Sequence, residues 1–247
     1  MRRLPVLLCL AVALLSSAPA FAAEVSVAVA ANFSRPAEEL GAAFTAMTGD
    51  TVSFSFGATG GLYTQTAQGA PFQVLLSADS VRPAQSVAEG FGVEGTVFTY
   101  AVGKVVLYSP DLDLTDGEAV LRAGGFQHIA IADPRTAPYG AAAVSAIDRL
   151  GLTDALAPRQ VVGESISQTL QFIDTGNAEL GFVALSQVID KPAPQVWIVP
   201  AGLYEPIRQD AVLLRTGEDD AAARAFLAFI QSEAGKAIIA RYGYDTE

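Results

Sequence analysis

The sequence predicts an α/β fold in which mostly parallel strands alternate with helices. Short runs of β-branched residues are bounded by turn residues, and Ala-rich stretches with helical periodicity lie between them. The predicted strands are residues 25–30, 52–56, 74–76, 105–108, 129–132, 180–184, 196–199 and 211–214. The predicted helices are residues 36–47, 141–150, 168–175, 221–230 and 233–242.

The first 22 residues have the features of an export signal. Arg2 and Arg3 precede an apolar run over residues 6–15, and Ala20-Phe21-Ala22 fits an A-x-A cleavage site. The apolar run is too short for a permanent bilayer-spanning helix, and Gly, Pro or charged residues interrupt every later candidate. The sequence therefore predicts that residues 1–22 are a signal peptide and that the mature chain is water-soluble and periplasmic.

The mature chain is predicted to contain no cysteine, because Cys9 lies within the signal peptide. Leu8 stands before Cys9 where a lipoprotein site needs a small residue, which disfavours a lipid anchor. Disulfides, thiol chemistry and thiolate metal sites are thereby excluded from the mature protein. About 225 residues with a high apolar content remain, which is enough for one large or two small domains.

The charge of the chain is strongly acidic. The full sequence has 15 basic and 26 acidic residues, a net charge of -11, and loss of Arg2 and Arg3 leaves 13 basic residues and a charge of about -13. A nucleic-acid surface needs clustered Lys and Arg, so we expect no nucleic-acid partner. An anion can still bind such a chain if local dipoles and hydrogen-bond donors build the site.

The predicted domains interleave, because no long linker divides the chain. Residues 204–210 are extended and polar and follow a strand that ends at Pro200, so they are the predicted return crossing between lobes. A first crossing near Gly103 and Lys104 would match it. We therefore predict one lobe from residues 23–103 plus 204–247 and a second from residues 104–203.

Four loops share one design, in which a strand ends, small or hydroxyl residues follow and a helix begins. Such loops lie at the carboxyl ends of strands, where ligands of α/β proteins usually bind. Each loop also offers helix N-terminal NH groups, which lack partners inside the helix and lie at the positive end of its dipole. The four loops are residues 30–34, 56–61, 133–140 and 163–168.

Two of these loops contain recognisable helix-entry signals. Pro36 lacks an NH and fits the first helical turn, which sets the N-cap near Phe33 or Ser34 and leaves Asn32 outside it, able to donate its side-chain amide. Ser165, with Gln168 three residues on, predicts a capping box that orients the next two NH groups.

The other two loops offer hydroxyl groups. Thr59 lies among glycines that permit close backbone approach, and Tyr139 stands between Pro138 and Gly140. Asn, Ser and Thr at such turns usually serve only as caps, and paired glycines only as turns. An aromatic hydroxyl on a constrained loop is harder to explain in that way.

Segments along nearly the whole mature chain resemble the periplasmic molybdate-binding proteins of ABC importers. No single motif is diagnostic, but their order and spacing together are specific. The similar segments are residues 27–33 (VAVAANF), 54–60 (FSFGATG), 68–79 (QGAPFQVLLSAD), 132–140 (ADP through PYG), 179–186 (ELGFVALS) and 241–244 (RYGY).

The resemblance implies a two-lobed periplasmic-binding-protein fold of type II, with mixed, mostly parallel sheets and one dehydrated oxyanion in the interlobe cleft. Carried over by position, it implies side-chain contacts from Asn32, Thr59 and Tyr139 and backbone NH contacts from Ala31, or Asn32, and Ile166. It also implies a non-enzymatic protein that needs no cofactor, delivers molybdate or tungstate to an inner-membrane permease and works as a monomer.

One position departs from the family pattern. Some members have a ligand tyrosine where this chain has Ala184, which indicates the variant in which Asn32 and Tyr139 supply the side-chain contacts. A cage of donors without an acceptor disfavours protonated phosphate, whose hydroxyl needs an acceptor. Sulfate passes that test and must be excluded by size. Another tetrahedral oxyanion, sulfate or phosphate, therefore stays an alternative ligand.

An exported enzyme on the same scaffold is the alternative from another class. His128 is the only histidine and introduces a strand, and no nucleophile motif or phosphate-binding loop is present. With no cysteine available, a zinc site is disfavoured. We interpret Asp79, Asp133 and Glu164 as loop and hinge residues, because carboxylates that face an anion would repel it.

Overall fold

The computed structural model describes residues 22–246, so most of the predicted signal peptide, with Cys9, lies outside the described residues. Its strands are β1 Glu24–Ala30, β2 Thr51–Gly57, β3 Val74–Leu76, β4 Phe98–Gly103, β5 Val105–Tyr108, β6 Ile129–Ala132, β7 Gln160–Gly163, β8 Leu180–Ala184, β9 Val196–Ile198 and β10 Ile207–Leu213. Its α-helices are α1 Ser34–Thr48, α2 Thr59–Ala67, α3 Val81–Ala88, α4 Gly117–Ala123, α5 Pro138–Arg149, α6 Thr153–Leu156, α7 Ile166–Asp174, α8 Ala221–Gln231 and α9 Glu233–Arg241.

The strands form two sheets, one in each of two lobes. The sheet of lobe 1 has the order β2-β1-β3-β10-β4, and the sheet of lobe 2 has the order β7-β6-β8-β5-β9. In each sheet the first three strands run parallel, and the last two pair antiparallel to their neighbours. The predicted two-lobed α/β fold with mixed sheets is thereby confirmed.

Two adjacent connections join the lobes. β4 ends at Gly103 and β5 begins at Val105, while the return connection runs from the end of β9 at Ile198 to the start of β10 at Ile207. Gly103 and Ile207 are paired in the sheet of lobe 1, so the chain crosses twice at one place. The predicted division of the chain falls within these connections, and its limits stay a prediction.

Helix α1 illustrates how the sequence pattern directs a helix onto a sheet. Ala37, Leu40 and Phe44 are fully buried and lie on one face at helical spacing. The helix ends at Gly49, whose φ of 84° is the left-handed conformation that suits glycine at a helix C-terminus. Burial of this face anchors α1, so that its N-terminus points from lobe 1 towards the cleft.

The sequence prediction missed several elements and shortened one. Strands β4 and β7 and helices α2, α3, α4 and α6 were not predicted, and β10 begins at Ile207 instead of residue 211. Helix α2 contains Gly60 and Gly61, which each cost about 1 kcal/mol of helix propensity, and it forms because Leu62 and Thr66 are buried against lobe 1. None of the helices described between residues 22 and 246 has the length and apolarity to cross a bilayer.

Candidate functional site

A small cavity lies between the lobes where the four predicted loops meet. It is bounded by uncharged and mostly small residues, most of which are buried. All five residues predicted to contact the ligand belong to its wall. The lining residues are Ala30, Ala31, Asn32, Gly57, Ala58, Thr59, Ala78, Ala137, Pro138, Tyr139 and Ile166.

Thr59 is the first residue of α2 and is buried with 1% exposure. Its Oγ1 accepts a hydrogen bond from the NH of Ala78, at 3.1 Å. Because a hydroxyl oxygen that accepts from an NH keeps its own hydrogen to donate, Thr59 can act as a donor in the cavity. Ala78 follows β3 and belongs to a fifth loop that the sequence did not single out as part of the site.

Tyr139 is the second residue of α5 and is also buried. Its Oη accepts a hydrogen bond from Nε2 of Gln209, at 3.1 Å, and its hydroxyl is also hydrogen-bonded to the hydroxyl of Tyr244. Burial, followed by the proximity of Tyr244, raises the pKa of Tyr139 well above its ordinary value. The phenol therefore stays protonated at neutral pH and remains a hydrogen-bond donor.

Asn32 has a different arrangement from the predicted one. Its side-chain Nδ2 donates to Oε1 of Gln209 and to Oη of Tyr244, both at 2.8 Å. An amide group has two hydrogens, so the protein itself uses both of them. The side chain of Asn32 thus braces the wall of the cavity.

The first loop enters its helix earlier than predicted. A 3-10 turn over Ala31–Phe33 precedes α1, and the NH of Ser34 closes it by donating to the carbonyl of Ala31. Phe33 is the N-cap of α1 and Asn32 lies just outside it, as predicted, although Asn32 belongs to the preceding 3-10 turn. The NH groups of Ala31 and Asn32 have no partner within this turn and are available for an acceptor.

Ile166 begins α7, so helix geometry leaves its NH without an intrahelical partner. The predicted cap is present, since Oγ of Ser165 accepts from the NH of Gln168 at 3.3 Å. The prediction of the reciprocal half of the capping box is wrong. Oε1 of Gln168 accepts from the NH of Glu164, at 2.6 Å, instead of from the NH of the N-cap residue Ser165. The turn is nevertheless ordered in the way that an NH contact from Ile166 requires.

The charged residues that sequence reasoning assigned to structural roles lie outside the cavity wall. Asp79 accepts from Oγ of Ser77, and Asp133 pairs with Arg135, whose hydrogen bond lowers the pKa of Asp133 to about 2. Glu164 does not line the cavity either. The wall consequently carries no formal charge.

Two further positions also fall outside the site. Ala184 is fully buried at the end of β8 and supplies no cavity contact. His128 is exposed immediately before β6. Within residues 22–246, no group of His, Cys, Asp or Glu side chains could hold a metal ion.

Sequence reasoning missed the residues behind the cavity wall. Gln209, Tyr244, Ser186 and Tyr100 form a buried hydrogen-bond network with Asn32 and Tyr139. Gln209 lies in the segment predicted to be a crossing, and Tyr244 and Ser186 lie in segments that resemble the binding-protein family. Those segments were the available signal, but the sequence does not show that they meet.

Several contacts join the lobes around the cavity. The NH of Gly60 donates to the carbonyl of Thr136 at 2.9 Å, and Oγ of Ser186 donates to the carbonyl of Asn32 at 2.8 Å. Added at Gly60, a Cβ would lie 3.2 Å from the Cα of Thr136. The site is therefore a closed, neutral cage of hydroxyl and NH donors, chemically suited to a ligand that only accepts hydrogen bonds.

Comparisons with known proteins agree with this chemistry. The family model "Bacterial extracellular solute-binding protein" matches residues 25–245. The chain is 54% identical to the molybdate-binding protein ModA of Rhodobacter capsulatus, over 93% of this chain and 91% of that protein. It is 50% identical to the protein of the same name from Azotobacter vinelandii, over 90% of each.

A solved structure shows the same likeness. The periplasmic molybdate-binding protein of Azotobacter vinelandii superposes with a TM-score of 0.87 and 38% identity, and the match covers 90% of this chain and 99% of that one. The resemblance that the sequence segments indicated is thereby confirmed.

Proposed function

The chain belongs to the bacterial extracellular solute-binding protein family, and from this premise we propose that it captures molybdate or tungstate in the interlobe cavity. The observation that carries the proposal is the neutral, enclosed cage of donors. It matches a fully ionised tetrahedral oxyanion, whose oxygens all accept hydrogen bonds. The names of the similar molybdate-binding proteins support the choice of ligand.

The proposed ligand contacts come from the ends of four helices. The hydroxyls of Thr59 and Tyr139 donate from the side chains, and Ala31 and Ile166 donate backbone NH groups. Asn32 contributes its backbone NH and holds the wall through its side chain. Helix dipoles favour negative charge at these positions, so an acidic protein can bind an anion without a charged side chain in contact with it.

The same set of donors also affects selectivity among tetrahedral oxyanions. Hydrogen phosphate would bring a hydroxyl into a wall of donors, where its hydrogen finds no acceptor, which costs about 1–3 kcal/mol for an unmet buried hydrogen bond. Sulfate is fully ionised and differs from molybdate mainly in size. We therefore propose that donor chemistry rejects phosphate and that cavity size rejects sulfate.

The proposal extends to cellular role. The chain works without a cofactor or catalytic step, is exported to the periplasm by residues 1–22, and delivers its ligand as a monomer to an inner-membrane ABC permease. The relatives are named as binding proteins, which supports the non-enzymatic role. Differential affinity of the ligand for the closed state would drive closure of the lobes.

Calorimetric titration of the purified protein with molybdate, tungstate, sulfate and phosphate tests the proposal. We expect tight binding of the first two oxyanions, and removal of one hydroxyl by Tyr139→Phe or Thr59→Val should weaken it by roughly 10- to 100-fold. Absence of heat from both metal oxyanions at micromolar protein would refute the function. Unchanged affinity in both variants would refute the assigned contacts while leaving the function intact.

A further inference from the structure

Gln209 occupies the centre of the buried network behind the cavity. It is fully buried, and its Oε1 accepts from Asn32 and from Oη of Tyr100, at 2.8 and 3.2 Å. Its Nε2 donates to Oη of Tyr139 at 3.1 Å. Asn32 and Tyr100 belong to lobe 1, whereas Tyr139 belongs to lobe 2, so one side-chain amide joins the two lobes.

Tyr244 makes a second connection of the same kind from the end of the chain. Its ring packs at an edge-to-face angle on Phe33 in the core of lobe 1, and its Oη accepts from Asn32. The hydroxyl also lies 2.9 Å from Oγ of Ser186, which follows β8 in lobe 2. Oγ of Ser186 in turn donates to the carbonyl of Asn32.

The backbone around Gln209 is shaped for this contact. Gln209 pairs with Ala101 and the next residue, Asp210, pairs with Thr99, so Tyr100 is an additional residue in β4. Bulges of this kind re-aim side chains and are common beside functional sites. At the first crossing, a Cβ added to Gly103 would lie 2.0 Å from Oη of Tyr139, so only glycine admits the tyrosine there.

We infer that Gln209 and Tyr244 are positioning residues that couple closure of the lobes to the orientation of the Tyr139 hydroxyl. The inference rests on the proposed oxyanion-binding function. It adds a physical reason for the orientation of one proposed donor, the Tyr139 hydroxyl. Nε2 of Gln209, in lobe 1, occupies an acceptor position of the phenol oxygen of Tyr139, in lobe 2. Because Gln209 and Tyr244 both contact the Tyr139 hydroxyl, closure fixes its orientation at the cavity wall, where a ligand oxygen and Tyr244 are the acceptors for its hydrogen.

A double-mutant cycle separates this role from a general loss of packing. In purified protein, Gln209→Met keeps the side-chain length and removes the amide, and we expect it to weaken molybdate binding roughly 10-fold. In a chain that carries Tyr139→Phe, the same change should cost less than about 3-fold, because its target hydroxyl is already gone. A full 10-fold loss in both backgrounds would overturn the inference.

The double-mutant cycle needs a matched control and a second variant in case the first does not fold. Gln195→Met is the matched control, because Gln195 donates to the carbonyl of Pro110 in lobe 2 and does not line the cavity; it should bind molybdate as the wild type does. If Gln209→Met does not fold, Tyr244→Phe replaces it, with an expected loss of roughly 3- to 10-fold that shrinks when Tyr139→Phe is present.

The outcomes also distinguish the inference from the function on which it rests. A wild-type protein that fails to bind molybdate refutes both. A wild-type protein that binds molybdate, with Gln209→Met and Tyr244→Phe binding equally well, refutes the positioning role alone.

Discussion

Two spaces lie between the same two lobes and differ in character. The small cavity is lined mostly by buried residues and has no charged residue in its wall. The adjoining groove is larger, shares Ala78, Ala137 and Pro138 with the cavity, and is bordered by charged side chains that include Arg82 and Arg135. The charged side chains thus border the groove, where water screens them, whereas the wall of the cavity consists of neutral groups that include hydrogen-bond donors.

The contrast between the two spaces shows how an acidic protein can hold an anion. A buried charged side chain is costly and would need a partner, whereas NH groups and hydroxyls are already ordered by the fold. Fixed neutral donors also discriminate between protonation states of a ligand, which a freely moving cation would do less well. Three experiments test the contrast between the cavity and the groove.

The largest effect is expected from Gly103→Ala, at the crossing between the lobes. The new Cβ would lie 2.0 Å from Oη of Tyr139 and 2.6 Å from Nε2 of Gln209, so both side chains must move. We expect molybdate affinity to fall roughly 10- to 100-fold, in line with the cost of overpacking a filled interior. Calorimetry measures the change.

Gly202→Ala is the control for this variant, because a Cβ at Gly202 meets no heavy atom within 4 Å. It should leave molybdate affinity unchanged. Equal affinities for the two variants would show that the crossing does not constrain the cavity.

An intermediate effect is expected on alkaline stability, because the network contains buried neutral tyrosines. Burial raises the pKa of Tyr244 to about 12, while the unfolded value is about 10. Below pH 10 both states are protonated and the contribution of Tyr244 is fully present; as pH rises through 12 it is lost, up to roughly 3 kcal/mol.

Denaturant unfolding of the ligand-free protein at pH 9 and at about pH 11.5 measures this loss. Tyr100 and Tyr139 are also buried with raised pKa values, so their contributions fall in the same direction. Tyr244→Phe should therefore reduce the dependence on pH without abolishing it. An identical decrease in wild type and variant would contradict the assigned shift of Tyr244.

The smallest effect is expected in the groove. Arg135 is 85% exposed and pairs with Asp133, and Arg82 borders the same space. We expect Arg82→Gln and Arg135→Gln each to change molybdate affinity less than about 3-fold at physiological salt, because exposed charges are screened. Any effect should appear in the association rate and diminish with added salt, which stopped-flow measurements at two ionic strengths would show. A 10-fold loss from either variant would mean that the charges of the groove contact the ligand.

Most of the fold could be predicted because hydrophobic periodicity reports local structure directly. Strand β3 has the predicted limits, α1 extends the predicted range by two residues at its start and one at its end, and α8 extends it by one residue at its end. Helix α2 escaped prediction because Gly60 and Gly61 oppose a helix locally, and packing against lobe 1 overrides them. Strand β4 escaped because its bulge at Tyr100 interrupts the regular alternation.

The residues of the candidate site were named from helix-entry signals and family resemblance. The cavity joins Ala31, Asn32, Thr59, Tyr139 and Ile166, although their contact with a ligand stays a prediction. Gln209 could not be found in this way, because nothing local marks a glutamine in an extended segment as a bridge.

The α/β class, the helix-entry loops and the acidic charge could be read from the sequence, because they depend on residue type and local spacing. The packing of the lobes sets the hydrogen-bond partners at the site: Asn32 uses both amide hydrogens on Gln209 and Tyr244, whereas Thr59 keeps its hydroxyl hydrogen to donate. These partners cannot be read from the sequence, because the residues that form the hydrogen bonds lie up to 212 positions apart in the chain. Local propensity carries no information about which of several donors is already occupied.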